Sequence, residues 1–256
     1  MRKNLLITGA TVNTGYAIAR RFAKEGYGVA ITSRNAAQAE AAAEKLSKEF
    51  SVPAVGYGLS MFNVEETKRV FNDAAKRLGS LDVFVANAAN LGVGYGALNT
   101  DEAAFDDIVD VNIKGTFFCC QAAAEVMKKQ GSGGSIVTIG SIQGTGAVRG
   151  RAIYSMSKAA ISVLVKNLAF ELGEYGIRAN NVVAGAIHST RWDDLSEEEI
   201  ATRRARYPVG RESTEEEIAN AVYFLGSEQS ATVTGIDLTV DSGISVCILP
   251  YSKSQG

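Results

Sequence analysis

Short, almost purely apolar runs recur along the chain. They are separated by longer stretches in which apolar positions return every three or four residues. KNLLIT, GVAIT, AVGYG, DVFVAN, SIVTIG, RANNVVA and IDLTV have the first pattern and predict strands. The second pattern predicts helices near residues 14–26, 36–50, 63–78, 101–130, 154–175 and 214–226. The strands are mostly unbroken rather than alternating, which marks strands covered on both faces. Strand–helix alternation joined by right-handed crossovers predicts an α/β fold. The expectation is one open, doubly wound parallel sheet of about seven strands with helices on both sides.

Residues 186–212 are the one long stretch outside this alternation. They hold Trp192, several arginines and an acidic run whose start resembles a helix cap at Ser196. A long excursion just after a strand end is where a substrate lid would sit. No linker, internal repeat or low-complexity tract divides the chain, so residues 1–256 read as a single domain. Its 256 residues suffice for one large core.

Composition narrows the function by exclusion. A formal net charge of −2 gives no electrostatic footprint for nucleic acid or a membrane surface. No apolar run approaches the ~20 residues needed to span a bilayer, and the first apolar stretch is too short for a signal peptide. The three cysteines, Cys119, Cys120 and Cys247, have neither disulfide-type nor metal-type spacing. A reducing, cytoplasmic setting and no metal are the expectations.

The first strand runs into TGATVNTGYAIA. Gly9 and Gly15 bracket a tight turn leading to a helix that begins near Thr14. Backbone N–H groups at such a helix start, with the helix dipole, suit a pyrophosphate. Asn13 takes the place of the middle glycine of the usual dinucleotide fingerprint. It can still reach φ > 0, but it brings a side chain toward the phosphates. The second strand ends in ITSRN, so Ser33 and Arg34 stand where NAD sites carry an acid, and no acid follows until Glu40. A guanidinium grips a ribose 2′-phosphate bidentately, hence NADP(H) over NAD(H).

Tyr154 and Lys158 lie four residues apart in YSMSKAAISVLVKNLAFEL, and Ser141 lies thirteen residues before the tyrosine. Spacing of i and i+4 places the pair on one helix face. A cation held there favours tyrosinate and draws a phenol pKa of about 10 toward neutrality. Carbonyl–alcohol redox chemistry needs such a proton donor or acceptor.

Together these segments resemble the short-chain dehydrogenase/reductase family, in its branch with an Asn-Ser-Tyr-Lys tetrad. The resemblance runs from Leu5 to about Gly243. TGATVNTG is similar to the family's TGxxxGxG, and ANAA at Ala86–Ala89 to its NNAG, with Asn87 in the second asparagine position. VNIKGTF, SIVTIGS and YSMSK supply Asn112, Ser141, Tyr154 and Lys158. RANNVVAGAI and ITGIDLTVDSG resemble two further family stretches.

The resemblance implies a Rossmann-type fold and hydride transfer between a nicotinamide and a carbonyl carbon. Tyr154 would donate the proton, and Lys158 would lower its pKa and hold the nicotinamide ribose. Ser141 would hydrogen-bond the same oxygen, and Asn112 would fix a proton-relaying water. Thr11, Ser60, Met61, Asn87, Gly185, Ile187 and Ser189 would line the cofactor with the residues named above. Ser60 stands in place of the usual adenine-contacting aspartate, and Ala184 in place of a proline. The enoyl-reductase type spaces its tyrosine seven residues before the lysine, where this chain has Arg151.

Candidate substrate contacts are Gln143, Arg151, His188 and Trp192, with Asn90, Tyr95 and Arg149 beside them. This polar set favours a small sugar, polyol or keto acid over a steroid or long acyl chain. Arg203, Arg204 and Arg206 read as the exposed face of a short helix opposite Glu197–Glu199. A 3-oxoacyl thioester (acyl-carrier protein) reductase and a non-catalytic dinucleotide-binding redox sensor are the competing functions. The helix near 154–175 is apolar beyond one face, which suggests a second subunit. A homodimer or, by resemblance, a homotetramer is expected.

Overall fold

The computed structural model describes residues 2–188, 192 and 194–247. Seven strands are present: β1 (Asn4–Thr8), β2 (Gly28–Ser33), β3 (Ala54–Gly58), β4 (Val83–Ala86), β5 (Gly134–Ser141), β6 (Ile177–Ala184) and β7 (Asp237–Val240). They form one sheet in the order β3-β2-β1-β4-β5-β6-β7, and every neighbouring pair is parallel. The helices are α1 (Asn13–Lys24), α2 (Ala36–Phe50), α3 (Val64–Leu78), α4 (Glu102–Val109), α5 (Thr116–Gln130), α6 (Ala152–Leu172), α7 (Glu197–Arg204) and α8 (Glu215–Gly226). This is the doubly wound architecture expected from the apolar pattern.

Successive strand residues point to opposite faces, which produces two cores. Leu5, Ile7, Val29 and Ile31 pack with Ile18 and Phe22 of α1, Leu46 of α2, and Ile218 and Val222 of α8. Leu6, Phe84 and Ile136 pack on the other face with Phe71 of α3, Met127 of α5, and Ile161 and Val165 of α6. Each of these side chains contributes roughly 1.5–3 kcal/mol by leaving water, which is why the strands carry so few polar residues. Cys119 and Cys120 are fully buried in the second core.

The chain winds outward from β1 to β3, then crosses back to place β4 on β1's other side. Connections leave β1 and β4 in opposite directions there, and a crevice opens at the carboxyl ends of the strands. No helix among the described residues is long and apolar enough to cross a membrane.

The stretch 101–130 is not one helix. A π-helical turn, Asp110–Gly115, lies between α4 and α5. Its flanks keep right-handed helical dihedrals (Val109 φ −67°, ψ −43°; Thr116 φ −62°, ψ −45°), so the apolar spacing runs through it unbroken. Ser196 does cap a helix. Its Oγ accepts from the Glu199 N–H at 3.2 Å, and its N–H donates to Glu199 Oε2 at 2.8 Å, forming a capping box at the start of α7.

Candidate active site

The turn from β1 to α1 is held from below by the end of β4. Asn87 Nδ2 donates to the Thr8 and Gly9 carbonyls at 3.0 and 2.8 Å. The Asn87 and Ala88 N–H groups both donate to Thr8 Oγ1, at 3.1 and 3.2 Å. Both Asn87 amide protons are thereby spent on positioning the turn. Gly9 has φ +63°, and a Cβ on Gly15 would lie 2.4 Å from the Gly9 carbonyl oxygen and 2.6 Å from Asn87 Nδ2. Only glycine fits there. Asn13 has φ +51°, the left-handed conformation that asparagine tolerates better than most residues. The turn therefore keeps its shape without the middle glycine. Its backbone cradle fits a dinucleotide pyrophosphate in the way the spacing implies.

A cleft of about 1370 Å³ extends from this turn across the carboxyl ends of the strands. Gly9, Thr11, Asn13, Thr14 and Gly15 line one end, with Ser33, Arg34, Ser60 and Met61 beside them. Asn87, Ser141, Gln143, Arg151, Tyr154, Lys158, Gly185, Ile187 and Trp192 line the remainder. Residues brought from strands and helices far apart in sequence thus share one cavity. Ser189 lies outside the described residues.

The chemistry-bearing wall is built from β5, α6 and the π-helical turn. Ser141 ends β5, and its Oγ accepts the Gln143 N–H at 3.2 Å, which leaves its own proton for another acceptor. Tyr154 and Lys158 sit one turn apart on α6, both buried. Lys158 Nζ donates to the Ile139 carbonyl at 2.6 Å and lies 5.6 Å from the centroid of the Tyr154 ring. Burial alone pulls the Lys158 ammonium down from 10.5 to about 8.

Asn112 does not line the cleft; it stands behind the wall, 1% exposed. Its Oδ1 accepts the Asn90 N–H at 2.7 Å, and its Nδ2 donates to the Asn90 carbonyl at 2.8 Å and to Ser157 Oγ at 3.0 Å. The π-helical turn carries this side chain to the segment after β4. The side chain clamps Asn90 to α6 rather than presenting a free amide to water.

The polar contacts expected around a substrate divide into two groups. Gln143 and Arg151 line the cleft. The Gln143 Oε1 atom is buried with no hydrogen-bond partner among the described residues, an acceptor that a donor on a ligand would satisfy. Arg151 Nη1 donates to the Leu91 carbonyl, and its guanidinium lies 5.9 Å from the Tyr154 ring. His188 turns elsewhere, with its Nδ1 2.8 Å from Glu212 Oε1. Tyr95 and Arg149 are exposed and do not line the cleft, whereas Asn90 does.

Arg203 and Arg206 are exposed, as the charged pattern of this helix predicts, and Arg204 is half-buried. Arg204 makes a bidentate pair with Glu212 (2.9 and 2.7 Å), which holds that carboxyl at about 2 against the opposing effect of burial. Arg203 and Arg206 line the cleft with Tyr207 and Glu215. The signal lay in the spacing, because positions 203, 206 and 207 fall at i, i+3 and i+4. The abundance of charge around them reads instead as an ordinary exposed helix.

A family model described as Enoyl-(Acyl carrier protein) reductase matches residues 9–245. The 3-oxoacyl-[acyl-carrier-protein] reductase FabG of Staphylococcus aureus is 34% identical over 249 residues, covering 95% of this chain and 98% of that protein. The L-rhamnose 1-dehydrogenase (NAD(P)(+)) of Azotobacter vinelandii is 32% identical over 249 residues, covering 95% and 97%. The crystal structure of a short-chain type dehydrogenase/reductase from Mycobacterium marinum aligns with a TM-score of 0.86. It is 30% identical, over 94% of this chain and 95% of that one. The chain belongs to the short-chain dehydrogenase/reductase family. It is an oxidoreductase of the kind that uses a nicotinamide dinucleotide.

Proposed function

We propose that this protein is an NADP(H)-dependent oxidoreductase that interconverts a carbonyl and a secondary alcohol on a small polar substrate such as a sugar, polyol or keto acid. The observation that carries the reading is the Lys158 ammonium. It is buried, one helical turn from Tyr154 and 5.6 Å from its ring, in the cleft that also holds Ser141 and the glycine turn. A buried cation costs stability, and a perturbed group of that kind in a cleft marks a functional site.

When bound, the dihydronicotinamide supplies a hydride. Tyr154 Oη delivers the proton that the carbonyl oxygen needs as its charge grows, or removes it in the reverse direction. Ser141 Oγ donates a hydrogen bond to the same oxygen. Lys158 Nζ keeps a positive charge beside the phenol and favours its anionic form as the proton leaves. Asn112 is a positioning residue that fixes Asn90 against α6. Gly9, Thr11, Asn13, Thr14 and Gly15 would hold the pyrophosphate, and Ser33 and Arg34 the ribose 2′-phosphate. Ser60 and Met61 would flank the adenine, and Gly185 and Ile187 the nicotinamide.

The polar lining of the substrate end, Gln143, Arg151, Arg203, Arg206 and Tyr207, supports a small polar substrate. Residues 186–212 act as its lid. The likeness to the S. aureus FabG favours a second reading, reduction of a 3-oxoacyl thioester. Exposed Met156, Val163 and Phe170 on α6 support a second copy packing there, in a homodimer or homotetramer.

One screen tests these readings together. NADPH oxidation is followed with aldoses, polyol-derived ketones, oxo acids and an acetoacetyl thioester. Turnover of the small polar compounds supports the first reading, and turnover of the thioester alone supports the second. A chain that binds NADPH yet reduces nothing would be a binding module.

A further inference from the structure

Arg203, Arg204 and Arg206 lie close together on α7 and the turn that ends it, and they face two ways. Arg204 is neutralised by Glu212. That carboxylate, 3% exposed, is also bonded to His188. Arg203 and Arg206 line the cleft, and among the described residues neither guanidinium forms a hydrogen bond or an ion pair.

The nearby acids form no ion pair with them, although Glu199 feels the Arg203 charge. Glu199, one turn before Arg203, is tied to Ser196 N–H and Oγ at 2.8 and 2.9 Å. Glu215 lines the cleft, but the charges that act on it are Glu216 and His188. Asp107, also in the cleft, accepts from Asn90 Nδ2 at 2.6 Å.

The two guanidiniums belong to exposed residues that border the cleft and act on the same neighbour. Both act on the buried phenol of Tyr207, which lines the same cleft. The Arg203 guanidinium lies 5.4 Å from the ring centroid of Trp192, itself buried. Two cations on one rim of a cleft draw an anion toward it. Paired guanidinium forks match the oxygens of a carboxylate or other oxyanion. A neutral sugar would gain no charge-assisted contact from either.

We infer that this face of the lid is an oxyanion subsite, and that the substrate is an oxo acid whose carboxylate is gripped by Arg203 and Arg206 while its carbonyl faces Tyr154. The inference rests on the reductase reading above and narrows its substrate class to anions.

The test compares oxo acids of four to six carbons with their methyl esters, using NADPH and either the natural protein or the double variant Arg203→Ala/Arg206→Ala. The natural protein is expected to prefer acid over ester by about 10- to 150-fold in kcat/KM, the range for a charge-assisted contact. The double variant is expected to lose that preference, and the Arg203→Lys/Arg206→Lys pair to keep part of it. The Kd for NADPH, read from quenching of the single tryptophan, Trp192, is expected to stay the same in the lysine pair and the alanine pair.

Equal rates on acid and ester would overturn the subsite, as would a preference that survives the double variant. An NADPH Kd raised by the same factor as the loss on acids would assign the arginines to the cofactor's phosphates instead. A calorimetric titration of glutarate into the NADP⁺ complex needs no turnover. Should no carbonyl compound be reduced, glutarate binding that vanishes in the double variant would sink the reductase reading and leave the subsite standing. Absence of arginine-dependent glutarate binding in that case would sink the subsite as well.

Discussion

The two walls of the cleft are built on opposite principles. On the β5–α6 side, Asn112, Ser157 and Lys158 are buried, and their polar atoms are committed to fixed partners within the fold. On the lid side, α7 has no buried residue. Among the described residues, the segment carrying it is tied to the body through the Glu212 knot with Arg204 and His188, a bridge between Ile187 and Ser213, and the Val209 N–H donating to the Ser242 carbonyl. Proton transfer needs groups held to a fraction of an ångström and shielded from water, and those belong on strands and packed helices. Choosing a substrate needs only a few side chains that reach into the cavity. Exposed positions supply them, and can change, at little cost to the core. On the proposed function, the buried wall would set the reaction and the exposed one the specificity.

Substitutions on the two walls should therefore differ in kind. The largest effect is expected at Tyr154. Tyr154→Phe removes the proton donor and should cut turnover by ~10²- to 10⁴-fold, with NADPH affinity, followed by fluorescence, unchanged.

Lys158→Met should combine a heavy loss of turnover with a gain in stability. The unfolded lysine keeps its proton up to about 10.5, whereas the folded one loses it above about 8. The unfolded chain thus binds more protons between those values, and natural stability rises with pH across that window. Below it, the buried charge costs the fold up to about 3 kcal/mol. Methionine removes that cost together with the bond to Ile139. Thermal melts without cofactor should show the variant ahead by about 1–3 kcal/mol at pH 7 and level with the natural protein above pH ~10.5.

Arg34→Ala should weaken the preference for NADPH over NADH by roughly 10- to 150-fold without altering the maximal rate. An unchanged ratio of the two kcat/KM values would remove Arg34 from the cofactor site.

The smallest effect belongs to the lid. Glu212 is held near 2, chiefly by Arg204, so its contribution is present above the ordinary carboxylate value of 4.5 and is lost as pH falls from there toward 2. Glu212→Gln should loosen α7, cost about 1–2 kcal/mol in thermal melts at pH 7, and raise KM more than it lowers kcat. Lowered kcat with unchanged KM would place Glu212 in the chemistry instead.

Much of this was legible in the chain, for identifiable reasons. The strands were readable because a sheet covered on both faces demands unbroken apolar runs. The glycine turn was readable because Gly15 packs where no side chain fits, and Asn13 was tolerable there because its φ of +51° suits asparagine. The π-helical turn was hidden because it keeps helical dihedrals and apolar spacing, yet it decides where Asn112 points. The clamp that the Asn112 side chain makes on Asn90 was not legible from its position in VNIKGTF. The bond from His188 to Glu212 was not legible because the partner lies 24 residues on, a distance no local spacing reveals. Arg203 and Arg206 are exposed as the charged helix implies, but that they also border the cleft is legible only once the fold places α7 beside it.

Deuterium transfer from NADPH deuterated at both C4 positions offers the sharpest trial of the proton-donating wall. The natural protein is expected to place the label on the carbinol carbon of a small polar product detected by mass spectrometry, and Tyr154→Phe to do so at least 100-fold more slowly. A phenylalanine variant that labels product at the natural rate would contradict the role given to Tyr154. Unlabelled products from a natural protein saturated with the cofactor would contradict hydride transfer itself.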